Sequence, residues 1–233
     1  MKFKQTIKSL SIISALLATA HVNAAVLDIK LVNLTHSIAF TPILVAAHDQ
    51  QTSLFHLGEK ATVALQKMAE GGNTADLKEI IKAASGESFD LTSAPTLAGA
   101  TSSGSLNTHA NTYLSLTAMM LPSNDGFVGL DSWKIPTEAG TYTIMLNAYD
   151  AGTEVNDEII NGEGAPGVAG IPADPSGHGG TGATGTSSNE SNDSVHIHPG
   201  NVGDTDATGG ISDLNSTVHR WLNPVAKLVI TVK

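Results

Sequence analysis

Carboxylates cluster in two short stretches of this chain, each following a run of apolar residues. Ser123-Asn124-Asp125-Gly126 closes one such run, and Asp150-Ala151-Gly152-Thr153-Glu154-Val155-Asn156-Asp157-Glu158 closes another. Carboxylates at loop tips, interleaved with glycine and asparagine, suit a hard cation. Ca²⁺ takes about six to eight oxygens at roughly 2.3–2.6 Å, and two loops from different strands can supply them. No lysine or arginine occurs between Lys134 and Arg220, while Asp150 to Asp213 holds eleven acidic residues. Clustered carboxylates without basic partners repel one another unless a cation sits among them. The plainer reading of the same residues is that Asp and Gly make turns there.

A second set is built from histidine. His196 and His198 are two apart, so on a strand they face the same side. With His48, beside Asp49, as a third ligand, the pair suits Zn²⁺ or Cu²⁺. The alternative is that one imidazole packs and hydrogen-bonds to the acidic loop while the other is exposed. A third stretch, Asp204-Thr-Asp-Ala-Thr-Gly209, copies the first half of an EF-hand loop. Its twelfth position is Asn215 where a bidentate Glu is required, and it reads as a turn.

The elements that must position these residues are mostly strands. Val26 to Leu34 and Val225 to Val232 alternate apolar and polar residues, as does Thr141 to Tyr149 with Tyr142, Ile144, Leu146 and Ala148 on one side. That period of two marks half-buried strands. Tyr113 to Leu121 is aliphatic and β-branched, Phe40 to Val45 is a short run carrying a proline, and Val195 to His198 is shorter still. Ala61, Leu65 and Met68 share a helical face that Gly71-Gly72 ends, and Asn73 starts a second short helix that Gly86 closes. Strand–helix alternation does not recur. The expected fold is therefore mainly β, an antiparallel β-sandwich with a short helical excursion. Residues 161–190 are rich in glycine, bury little on composition, and read as a flexible loop within a single domain, 25–233.

Composition narrows the function classes. The 233 residues include no cysteine, which excludes disulfides, thiolate catalysis and Cys-ligated metals. Twelve basic against 22 acidic residues, net −10, argue against nucleic acid. Residues 1–24 read as a signal peptide: Lys2, Lys4 and Lys8, then an apolar run from Leu10 to Ala20, then Val22-Asn23-Ala24 for cleavage at Ala24/Ala25. The apolar run is too short for a membrane span, so the mature chain is expected to carry no transmembrane segment and to be secreted or periplasmic. Removing the three lysines takes the net charge from −10 to −13. No nucleophile elbow, phosphate loop or H-E-x-x-H is present.

Leu121-Pro-Ser-Asn-Asp-Gly-Phe-Val-Gly-Leu-Asp-Ser132 and Tyr149-Asp-Ala-Gly-Thr-Glu154 resemble the paired signatures of the spondin N-terminal domain family, most closely its secreted bacterial members. Thr41 to Asp49, Leu54 to Glu59, Met68 to Asn73 and His196 to Gly200 extend the resemblance. It implies an antiparallel β-sandwich similar to calcium-dependent membrane-docking domains. It also implies a Ca²⁺ held by Asp125, Asp150 and Glu154, with Asp157 as a further candidate. Glu154 stands where the animal members carry aspartate, and Gly126 where they carry tryptophan. The function so implied is an exported, non-catalytic calcium-binding adhesion or interaction module with an extracellular or cell-surface partner, anionic in character. The rival is a metalloenzyme or transition-metal protein using His196, His198 and His48.

Overall fold

The computed structural model describes residues 24–186 and 192–233. The expected signal peptide lies outside the described residues except for Ala24. Strands β1 (Val26–Asn33), β2 (Ala39–Phe40) and β3 (Leu44–His48) are followed by helices α1 (Val63–Gly71) and α2 (Ala75–Ala83). Strands β4 (Glu87–Asp90), β5 (Thr101–Asn107), β6 (Tyr113–Leu121), β7 (Gly126–Lys134), β8 (Gly140–Asp150), β9 (His196–Ile197) and β10 (Ala226–Val232) complete the fold. All named strand pairs are antiparallel, in the order β4-β3-β6-β7-β8-β10-β1-β5, with β2 on β6 and β9 on β8. The mainly-β sandwich expected from the sequence is the fold observed.

Strand β8 belongs to both layers. Its residues Gly140 to Leu146 pair with β10, and Asn147 to Asp150 pair with β7. The main core lies between the layers and unites Leu27, Ile29 and Leu31 of β1 with Leu116, Val128, Leu228 and Ile230. A second core lies outside β3 and β6, where Leu65 and Met68 of α1 and Leu77 and Ile81 of α2 meet Leu44, Ala46 and Met119. This double covering explains β3: Val45 and Ala47 face the inner core, Leu44 and Ala46 face the helices, and all five residues are buried. A strand covered on both faces is apolar throughout instead of alternating.

Helix α1 forms where its caps dictate, whereas α2 starts at Thr74 without a side-chain cap bond from that residue and ends at Ala84. The Thr62 hydroxyl accepts from the Leu65 amide at 3.1 Å, and Gly72 closes α1 in the left-handed conformation. The Thr117 hydroxyl then bonds the Met68 sulfur at 3.6 Å, fixing α1 over β6.

Candidate functional site

The two acidic loops meet because the strands that carry them are paired at their ends. Gly126, the first residue of β7, lies opposite Asp150, the last of β8. Asp150 also pairs with His196 of β9. Loop 122–125 and loop 151–158 therefore occupy one end of the sandwich, with the His196 segment beside them. Gly126 lets them close: a Cβ there would stand 2.6 Å from Ser123 Oγ and 3.0 Å from His198 Cδ2. A larger side chain has no room at this position unless its neighbours shift.

Asp125 and Asp150 are fully buried. Asp125 Oδ2 accepts from Thr153 N at 2.6 Å, Thr153 Oγ1 at 3.1 Å and Glu154 N at 3.1 Å. Its other oxygen, Oδ1, is buried with no partner, as is Glu154 Oε1. Asp150 accepts from Gly152 N at 2.7 Å and Asn156 Nδ2 at 2.8 Å. Asn124 joins the set, donating to Asp157 Oδ1 at 3.0 Å and Glu154 Oε2 at 3.3 Å. It also accepts from Glu158 N at 3.1 Å. Among the described residues none of these carboxylates pairs with a lysine or arginine; the nearest cationic candidate is His196, 3.8 Å from Asp150 Oδ2.

The electrostatics follow from that geometry. Burial, and then the neighbouring Asp150, push the Asp125 carboxyl up to about 7 against the pull of its three hydrogen bonds. Burial pushes Glu154 up to about 8, reinforced by Glu70 and Asp125. Glu70 is a fully buried carboxylate of α1 that accepts from Gln66 Nε2 at 2.8 Å and Gly167 N at 2.6 Å. At neutral pH Glu154 is therefore mostly protonated and Asp125 about half so, and a divalent cation would displace those protons. The donor set is all oxygen, the type a hard cation takes, and two of its atoms are orphaned, but Asp125, Asp150 and Glu154 do not bring one oxygen each within 4.8 Å of the others.

The histidines divide. His196 stands against Asp150 as expected, and its Nδ1 donates to Ser194 O at 2.8 Å. His198 is buried beside it, its Nδ1 accepting from Gly200 N at 2.9 Å and its Nε2 unpartnered. Burial lowers His198 to about 4, outweighing Asp150, which acts to raise it; His196 lowers it further. His48 does not join the pair. Its Nε2 bonds Ser115 Oγ at 2.7 Å and its Nδ1 bonds Asp49 O at 2.7 Å, so both ring nitrogens are committed. The triad His48, His196 and His198 is therefore not assembled. Among the described residues the one group of three His, Asp or Glu side chains whose ligand atoms all lie within 4.8 Å of one another is Asp174, His178 and His219.

The glycine-rich stretch was expected to bury little, and its described part departs from that. Ile171 is 0% exposed and bridges to Ile160. The Asp213 carboxylate accepts from Ile160 N, Thr181 N, Thr181 Oγ1 and Ala183 N. Glu158, also buried, accepts from Val202 N at 2.5 Å, Gly203 N at 2.8 Å and Ser212 Oγ at 2.5 Å. Buried carboxylates thus act as hubs for backbone amides that no regular element satisfies. The Asp204 to Gly209 stretch is a turn: Asp204 accepts from the amides of Asp206, Ile211 and Ser212, and Asn215 Oδ1 is taken by Thr217. Residues 187–191 lie outside the described residues.

The residues that sequence reasoning missed are Asn124, Glu70 and Asp213. Asn124 lies inside the acidic motif itself. Glu70 looks from sequence like an ordinary exposed helix residue, and nothing in its spacing marks it. Among the described residues no helix is long and apolar enough to cross a membrane.

No curated protein matches the sequence. The Spondin_N family model matches residues 33–158, which take in both acidic loops and more than half of the 233-residue chain. The chain belongs to the spondin N-terminal domain family, a membership that suggests an extracellular interaction module.

Proposed function

We propose that this chain is an exported, non-catalytic interaction module whose acidic loops are organised by Ca²⁺. Asp125, Asp150 and Glu154 are the ligands, with Asp157 and Asn124 at the margin. The observation that carries the reading is the pair of buried, unpartnered oxygens, Asp125 Oδ1 and Glu154 Oε1, among carboxylates that no described lysine or arginine pairs with. Leaving a buried acceptor unmade costs about 1–3 kcal/mol, and a cation recovers it while neutralising the like charges. Bound Ca²⁺ turns the protonated acids into carboxylates and presents a positive centre at the loop end of the sandwich. That centre favours an anionic partner on a cell surface or in the extracellular matrix.

The test uses untagged mature protein freed of metal by chelation and titrated calorimetrically with CaCl2. One equivalent of binding is expected, with a raised thermal midpoint, and Asp150→Ala should abolish both. Absence of binding, or an Asp150→Ala variant that responds like the parent, overturns the assignment.

A further inference from the structure

We propose a second, independent metal site: a transition-metal centre of Zn²⁺ type formed by Asp174, His178 and His219. It lies on the loop segments that follow β8 and precede β10, and it shares no residue with the acidic site. Asp174 Oδ2 is 3.2 Å from His178 Nδ1 and 3.4 Å from His219 Nε2, so one carboxylate oxygen sits between two imidazole nitrogens. The Asp174 side chain is fully buried and held by Ser176, whose amide donates to Oδ1 at 2.8 Å and whose hydroxyl reaches both oxygens. His219 is 1% exposed, and its Nε2 lacks any hydrogen-bond partner. A buried polar nitrogen aimed at a buried carboxylate without bonding it is the second observation that points to a ligand.

The chemistry of the donors selects the metal. Two imidazoles and one carboxylate suit Zn²⁺ or a neighbouring first-row ion far better than Ca²⁺, which prefers an all-oxygen shell. Three protein ligands leave a position for water or a small anion, and a cleft of about 360 Å³ is lined by both His178 and His219. Asp204, Asp206 and Asp213 line the same cleft and add negative potential. Ligation has one internal cost. His219 Nδ1 accepts from Asn215 N at 3.1 Å, so the neutral ring carries its proton on Nε2. The metal must displace that proton to Nδ1 and release the Asn215 amide, as ligating histidines carry their remaining proton on the other nitrogen. Affinity should therefore fall as pH drops and imidazole protonates. Occupancy would tie the glycine-rich loop to the segment leading into β10.

The experiment is a ZnCl2 titration of the untagged, chelator-treated full mature chain in saturating Ca²⁺, with a parallel Co²⁺ titration read by its visible absorption. One Zn²⁺ per chain is expected. His178→Ala changes an exposed side chain, and it should weaken binding by about tenfold or more. Asp174→Asn should do the same, while His196→Ala should bind Zn²⁺ like the parent. Imidazole NMR should show His219 passing from the Nε2-protonated to the Nδ1-protonated tautomer on saturation. No Zn²⁺ binding, unchanged affinity in His178→Ala, or loss in His196→Ala overturns the site. Because the acidic loops are probed separately with Asp150→Ala, failure here leaves the Ca²⁺ reading standing, and the reverse also holds.

Discussion

Replacing Asp125 by asparagine should stabilise the metal-free protein at neutral and basic pH, although it removes a residue of the proposed site. Burial raises the folded-state Asp125 carboxyl from 3.8 to about 7. Such a group favours folding while protonated. Its contribution is present below the unfolded value and is lost as pH rises through the folded one. At about 1.4 kcal/mol per tenfold, the penalty reaches roughly 4 kcal/mol by pH 8, a ceiling that loop relaxation and water entry reduce. Asparagine mimics the protonated acid and carries no such penalty. The whole-protein pH profile hides the effect, because His198 pulls the other way. Its lowered value, about 4, means stability is lost as pH falls below 6.5. The difference between Asp125→Asn and parent cancels that contribution. Urea unfolding in chelator should give a difference near zero at pH 4 that grows to several kcal/mol in favour of the variant at pH 8. In Ca²⁺ at about 100 times its dissociation constant, the parent alone should gain about 2.7 kcal/mol. A difference that is the same at pH 4 and pH 8 refutes the reasoning, since Asp125 would then be ionised and solvated throughout.

Ile171→Ala should destabilise by about 2–4 kcal/mol, the cost of emptying a buried site, as measured by chemical denaturation. A change below about 0.5 kcal/mol would mean that the glycine-rich stretch adds nothing to the core. In NMR titrations of the metal-free protein, the His198 imidazole should stay neutral from pH 8 to pH 5, because burial excludes its charge. A midpoint near 6.5 would show that the ring is solvated and the loop end open.

The sequence made β1, β6, β8 and β10 legible but not the edge strands β4 and β5 or the central β7, whose residues read only as part of the acidic motif. Strands β1, β8 and β10 bury one face, so their side chains alternate and the period of two is visible. Strand β5, Thr-Ser-Ser-Gly-Ser-Leu-Asn, reads as a loop because its pairing with β1 is a backbone affair. Its Gly104 is needed because a Cβ there would stand 2.7 Å from the Phe89 ring. Pro42 broke one apparent strand into β2 and β3. The nearness of the two acidic loops was readable from their motifs, and it follows from the pairing of Gly126 with Asp150 at adjoining strand ends. The order in the glycine-rich stretch was not, because it comes from Glu158 and Asp213, whose partners lie up to 54 residues away in sequence. Nor was the state of His198 legible, because burial, which spacing does not reveal, outweighs the neighbouring Asp150 there.

The register of the outer strands has a consequence for how the domain can be mounted. Leu27, near the start of β1, lies opposite Val232, the end of β10, and Val232 in turn lies opposite Gly140, the start of β8. The eleven residues of β8 then run roughly 30 Å to Asp150. Both ends of the folded unit thus leave from the pole opposite the acidic loops. A tether or flanking domain attached at either end, or at both, would stand clear of those loops and hold them outward. The module can be strung in series or anchored to a surface without changing which pole it offers to a partner.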